Sequence, residues 1–229
     1  MLDWPAYVAQ LARFLGLQRT GYYVLGNGVG VPYALACAYA LPREELLGVE
    51  VMASVWPWDV GREGVWGAVQ EEMEGMVERP GEMVRWLDRS AADEAWEEDR
   101  VNARHAMEMV LDMFPGCEKE VFKKDEERHL RLCMDAERVG YRQGAEGAVQ
   151  NMRLVALDWG FRLEDIEFEG IRLFYGEEDE HTPVEMGRYY AAVLPNAVIR
   201  EFTGDTNIKV FADRAEEVLR CLLGETRGG

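Results

Sequence analysis

The first residues along the chain that could take part in chemistry form a glycine cluster, Gly26 to Gly30, with the sequence GNGVG. A short apolar and aromatic run, Gly21 to Leu25, precedes the cluster. Pro32 follows it at a position where the first turn of a helix tolerates proline, and Tyr33 to Tyr39 continues that helix. The predicted order is strand, tight turn, helix. Such a turn either cradles a phosphate with backbone N–H groups or lifts a reactive side chain above a sheet.

The spacing of the glycines separates these two interpretations. A dinucleotide-binding turn requires G-x-G-x-x-G, but Val31 occupies the third glycine position, and Glu50 lies inside the next predicted strand rather than at its end. A turn that presents a nucleophile has the form G-x-S-x-G, which this cluster fits except at its centre. The residue at that centre is Gly28, which carries neither oxygen nor sulfur.

The surrounding elements predict an α/β fold. Apolar runs predict further strands, and amphipathic segments predict helices, around a long insertion rich in Glu, Arg, Met and Ala. The predicted strands are Leu46–Val55, Ile171–Tyr175 and Ala197–Phe202, and the predicted helices are Pro5–Leu17, Pro183–Leu194 and Asp213–Leu223, the last capped by Asp213. Strands that alternate with helices indicate a mostly parallel sheet of about four strands.

Four segments in this order resemble the α/β-hydrolase family. They are Val24-Leu25-Gly26 with the glycine turn, the loop Gly176 to Val184, the segment Leu194 to Ala197, and the stretch Gly204 to Asn207 ahead of the last helix. The resemblance implies a partial α/β-hydrolase fold. Residues 1–60 would form the first part of the core, residues 61–165 a helical cap (lid) insertion, and residues 166–229 the second part of the core.

The resemblance also implies where a catalytic triad would lie. Gly28 takes the place of the nucleophile, Asp179 that of the acid and Asn207 that of the histidine. Asparagine cannot take up and return a proton near neutral pH, so only the acid of the triad is present. The backbone of Val29 would supply one oxyanion donor, but the loop that supplies the second donor in the family has no counterpart.

We therefore expect a catalytically degenerate pseudo-hydrolase that binds a small apolar or carbonyl-containing ligand or a protein partner. Its candidate pocket consists of Asn27, Trp56, Trp58, Asp179 and Asn207. The alternative is an enzyme on the same fold. It would be either a residual ester or thioester hydrolase, or a non-hydrolytic lyase, isomerase or cyclase that uses Asp179.

Other side chains offer weaker candidates for chemistry. His181 follows Asp179 by two residues and could replace the lost base, although neighbours on a loop seldom face the same pocket. His105 and His129 fall in the insertion, where a lid histidine or a surface position would both fit. Cys37 lies in an apolar helix, which favours a buried small side chain over a substitute nucleophile.

Composition restricts the partners. The chain has 25 Lys and Arg against 43 Asp and Glu, a net charge of −18, which argues against nucleic acid and anionic membranes. The scattered cysteines and histidines argue against a metal site, and nothing in the sequence calls for a cofactor. The amino terminus lacks a signal-peptide pattern, so we expect a cytoplasmic protein.

The resemblance predicts one structural problem. The sequence begins at the predicted helix that precedes the strand Gly21 to Leu25, so roughly the first half of the family's sheet has no counterpart. A truncated gene model or a decaying paralogue would explain this difference. Tyr22 to Leu25 would then lie at the edge of the sheet, with unpaired backbone and apolar side chains. A homodimer, another partner or a rearranged amino-terminal helix would be needed to cover that edge.

Overall fold

The structure is a computed structural model that describes residues 1–54, 63–65, 67–92 and 139–224, together with residues 119, 120, 123, 128, 131 and 136. In chain order the elements are α1 (Trp4–Phe14), β1 (Tyr22–Asn27), α2 (Val31–Ala40), β2 (Leu46–Met52), α3 (Gly67–Glu78), α4 (Pro80–Ala92), α5 (Glu146–Ala156), β3 (Ile171–Gly176), α6 (Val184–Val193), β4 (Ala197–Phe202), α7 (Asn207–Asp213) and α8 (Ala215–Leu222). Within these ranges no helix combines the length and the apolar composition that crossing a bilayer requires.

The chain divides into two compact units. The sheet unit consists of Met1–Gly64 and Leu157–Gly229, and the helical unit consists of Val65–Ala156. In the helical unit α3 and α4 pack against α5, around a core that includes Met76, Leu87 and Val149. The interpretation of this unit as a cap stays a prediction.

The sheet confirms the predicted fold class. Its four strands lie in the order β1-β2-β3-β4, and every neighbouring pair is parallel. Each pair is joined through a helix, as parallel strands require. The interior of β2 is buried on both faces, because helices cover both faces of the sheet there. Glu50 and Val51, which point to opposite faces, are both fully inaccessible.

The register assigns each strand residue to one of two faces. Gly26, Val51, Leu173 and Ile199 form one row across the sheet, and Leu25, Glu50, Arg172 and Val198 form a row on the opposite face. On the first face, α2 lies over β1 and β2 and α6 lies over β3 and β4. On the second face, Met52 and Phe174 pack against Val218 and Cys221 of α8.

The boundaries of some elements differ from the predicted ones. β1 continues two residues further, to Asn27. Asp213 ends α7, a short helix that the sequence analysis did not predict, and Arg214 is the N-cap residue of α8. Asp213 is therefore not the cap. Thr206 caps α7, because its hydroxyl accepts a hydrogen bond from the Lys209 N–H (3.4 Å).

Candidate functional site

The turn after β1 has the shape that the sequence predicts. β1 ends at Asn27, one turn of 3₁₀ helix spans Gly28–Gly30, and α2 begins at Val31 with proline in its first turn. Gly28 has φ of +53°, in the left-handed region that side chains other than glycine rarely adopt. The chain thus changes from strand to helix within three residues, and we call residues 26–30 the elbow.

The glycines of the elbow have different physical reasons to be glycine. A Cβ on Gly26 would lie 2.8 Å from the Ala34 Cβ and 2.8 Å from the Val31 Cα, so α2 packs too closely on β1 for any side chain there. Among the described residues, a Cβ on Gly28 would meet only the Ala53 carbonyl oxygen, at 3.9 Å. These residues therefore leave space for a side chain at position 28, where the family resemblance expects a nucleophile and this chain has none.

The loop after β3 holds Asp179, which is buried. Its Oδ1 accepts hydrogen bonds from the backbone N–H groups of His181 (2.9 Å) and Thr182 (3.0 Å), and its Oδ2 accepts one from the Thr182 hydroxyl. His181 therefore reaches Asp179 through its backbone. These bonds close the loop around the carboxylate, and we call residues 176–183 the acid loop.

The structure brings Asn207 and Asp179 together. Asn207 is the first residue of α7, and its Nδ2 donates to the Asp179 Oδ1 at 3.4 Å. In a serine-hydrolase triad, the acid accepts this same kind of hydrogen bond from a ring N–H of the histidine and so orients it. The amide can make that bond, but it offers no second nitrogen to take a proton from a nucleophile.

Close backbone packing fixes the acid loop against the chain that leads to Asn207. A Cβ on Gly176 would overlap the Asp205 carbonyl oxygen and would lie 2.6 Å from its carbon. The Glu178 N–H also donates to the Asp205 carbonyl at 3.0 Å. Asp205 itself pairs with Arg214 at 2.8 Å. These contacts fix the positions of Asp179 and Asn207 relative to each other without a ligand.

A second group of polar residues lies at the ends of β2 and β3, and sequence reasoning missed it. The Tyr175 hydroxyl and the backbone of Ser54 exchange two hydrogen bonds of 3.1 Å, and the Ser54 Oγ lies 3.5 Å from the Tyr190 hydroxyl. All three residues are buried, and burial raises the pKa of both tyrosines, so their hydroxyls stay protonated.

The backbone is unusual beside this group. Ala53, which precedes Ser54, has φ of +49°, the one positive φ among the described residues other than glycine. The only feature of the sequence that marks Ala53 is its position directly after a buried strand. The hydrogen bonds among Ser54, Tyr175 and Tyr190 link the carboxyl ends of β2 and β3 to α6, so this group of residues has a structural role.

The remaining candidate residues fall into separate places. Asn27 is exposed at the end of β1, and Val29 is half-buried in the elbow. Cys37 is fully buried, which raises the pKa of its thiol to about 12 and leaves it unsuited to act as a nucleophile. Trp56, Trp58, His105 and His129 lie outside the described residues. Among the residues that the structure does describe, no cluster of three His, Cys, Asp or Glu side chains could hold a metal ion.

Solved structures resemble this chain, although its sequence matches no protein-family model and no curated protein. An α/β-hydrolase enzyme from a Medee basin deep-sea metagenome library is 13% identical, with a TM-score of 0.57 over 98% of this chain and 72% of that chain. The esterase RhEst1 from a Rhodococcus species is 15% identical, with a TM-score of 0.56 over 95% and 69%. A bromoperoxidase from Bacillus anthracis is 14% identical, with a TM-score of 0.57 over 96% and 71%.

Proposed function

We propose that this chain, which has the α/β-hydrolase fold, is a degenerate hydrolase that binds a small apolar or carbonyl-containing ligand without cleaving it. The observation that carries the proposal is the hydrogen bond between Asp179 and Asn207, at the same end of the sheet as an elbow that presents Gly28. The orienting half of a triad is in place, while the nucleophile and the base have no counterpart. Hydrolysis through an acyl-enzyme needs both of those groups.

The hydrogen bonds of Asp179 argue against its use as a general base. A carboxylate has about four lone-pair positions; the Asp179 Oδ1 accepts three hydrogen bonds, from the N–H groups of His181 and Thr182 and from Asn207, and its Oδ2 accepts one from the Thr182 hydroxyl. A general base must instead present an oxygen within hydrogen-bond reach of a substrate proton. This arrangement favours a binding protein over a lyase, isomerase or cyclase that depends on Asp179.

Two features support a ligand near the elbow. In open α/β sheets ligands bind outside the carboxyl ends of the strands, and Gly28, Asp179 and Asn207 all follow such ends. The absence of a side chain at Gly28 leaves room where an ester carbonyl would otherwise meet a nucleophile. We expect an apolar acyl or aryl group, with its carbonyl near the backbone N–H of Val29.

The proposal is tested with p-nitrophenyl butyrate and a fluorophosphonate probe. We expect no turnover above the level of Asp179→Asn, no covalent labelling, and saturation-transfer NMR signals that show bound ester. Gly28→Phe should abolish those signals by filling the space above the elbow. Gly147→Phe, at an open helix position of the helical unit, is the matched control and should leave binding unchanged.

Turnover by the unmodified chain that falls with Asp179→Asn would contradict the proposal and favour the enzymatic alternative. Labelling near residue 28 would contradict it as well. The double variant Gly28→Ser, Asn207→His is the positive control. Ester hydrolysis by this variant would show that the ligand site accepts the probe in a productive position.

A further inference from the structure

The two faces of β1 differ in how they are covered. Tyr22, Val24 and Gly26 point toward α2, and Tyr22 and Gly26 are buried there. Leu25 and Asn27 point to the opposite face and are exposed, Leu25 to 39%. β1 is also the terminal strand of the sheet, with β2 as its hydrogen-bonding partner. One face and one edge of this strand are therefore accessible.

α8 borders the accessible face and adds apolar surface to it. Glu217 of α8 pairs with Arg200 of β4, so the opposite flank of the helix is directed toward β1. That flank carries Leu219 and Leu223, which are 49% and 57% exposed. We call the surface formed by Tyr23, Leu25, Leu219 and Leu223 the open face.

α1 has an apolar stripe that is largely exposed, although its first residue, Trp4, packs edge-on against Tyr33 of α2 with ring centroids 5.4 Å apart. Trp4, Tyr7, Leu11 and Phe14 recur at intervals of three and four residues, so they share one side of the helix. All four are exposed, Phe14 to 87%, while Ala12 on another side is buried. α1 packs against α2. The stripe and the open face thus belong to helices on opposite sides of the sheet.

The charge distribution favours contact between these two surfaces. Residues 4–43 include three arginines and no acidic residue, although the chain as a whole carries 43 Asp and Glu. Two copies of so acidic a chain repel each other across most of their surface. Segment 4–43 is the exception, and it contains both the α1 stripe and the β1 part of the open face.

We propose that a second copy of this chain docks here, with the α1 stripe of each copy on the open face of the other. Rotation about a two-fold axis parallel to β1 turns the sheet of the second copy over. The side of one copy that carries α1 then lies next to the side of the other copy that carries its open face. The same axis brings the accessible edges of the two β1 strands next to each other. This arrangement covers two apolar surfaces and a sheet edge that folded proteins ordinarily protect.

The test is the mass of the 229-residue chain in solution, measured by light scattering and sedimentation velocity. We expect twice the 26.1 kDa of one chain. Phe14→Glu in the stripe and Leu25→Glu in the open face should each weaken the dimer about tenfold or more, because either change places a charge in the apolar contact. Phe211→Glu replaces another exposed helical phenylalanine of the sheet unit and should leave the dimer intact.

Tyr7→Glu and Leu219→Glu repeat the test on the same two surfaces if a first variant fails to fold, as judged by circular dichroism. A monomeric unmodified chain would overturn the proposal. Dissociation by the stripe variants alone would overturn the pairing of stripe and open face. Equal dissociation by Phe211→Glu would also overturn it, since the effect would then come from added charge and not from this contact.

Discussion

The elbow and the acid loop lie at the same end of the sheet, yet they differ in what they present. The acid loop surrounds Asp179 with three hydrogen-bond donors, and Asn207 of α7 adds a fourth. The elbow joins β1 to α2 through a left-handed Gly28 and presents no side chain at that position. Its first glycine, Gly26, packs closely against Ala34. Under the proposed function, the backbone of the elbow is kept by packing although no nucleophile is present.

The largest loss of folding stability is expected from a substitution where backbone packing fixes the acid loop. Gly176→Ala should lower the free energy of unfolding by about 3 kcal/mol or more, because its Cβ would overlap main-chain atoms of Asp205 that cannot rotate away. Chemical denaturation measures this loss. Gly30→Ala, where a Cβ meets nothing within 4 Å, is the control and should cost less than about 0.5 kcal/mol. Equal losses would mean that the loop tolerates displacement.

A smaller effect is expected from the hydrogen bonds of the same loop. Asp179→Asn keeps one acceptor oxygen and replaces the other with an NH₂ group, so at least one of the donors of Thr182 and His181 loses its acceptor, and the change should cost about 2 kcal/mol. Asp158→Asn is the matched control, because Asp158 also accepts a backbone N–H, that of Gly160 at 2.8 Å, but is exposed. Denaturation curves that shift equally for both variants would contradict the view that burial makes the Asp179 bonds important.

The smallest effect is expected at the elbow. Gly28→Ser should cost about 1–2 kcal/mol, which is the strain of a left-handed backbone and not of crowding. Gly30 has an ordinary φ of −78°, so Gly30→Ser should change the free energy of unfolding by less than about 0.5 kcal/mol. A loss at Gly28 as large as that of Gly176→Ala would show that the space above the elbow is not available to a side chain.

The elbow could be predicted from the sequence because its determinants are local. The glycine spacing and Pro32 lie within seven residues, and they specify a strand, a turn and a helix directly. The positions of Asp179 and Asn207 relative to each other required the resemblance to a known family. Their hydrogen bond joins residues that are 28 positions apart in the chain, and residue spacing gives no measure of such a distance.

Other parts of the site depend on long-range contacts and could not be predicted. Tyr175 reaches Ser54 across 121 residues of sequence, and Tyr190 reaches it across 136. A buried tyrosine in an apolar strand has the same local pattern whether or not its hydroxyl has a partner. The exposure of the α1 stripe was equally unpredictable, because helical spacing indicates that a helix has an apolar side but not what covers it.

The row formed by Leu25, Glu50, Arg172 and Val198 contains one acid whose burial has a consequence for proton uptake. Glu50 is fully inaccessible, and Arg172 donates to its Oε1 at 2.5 Å. Burial outweighs the arginine and raises the pKa of this carboxyl to about 7. Because the folded value lies above that of the unfolded chain, folding takes up a proton between about pH 4.5 and 7, and this group favours the folded state more as the solution is acidified through that window. One glutamate of a strongly acidic chain thus opposes acid denaturation, whereas Glu201, whose pKa the hydrogen bond from Arg188 lowers, promotes it.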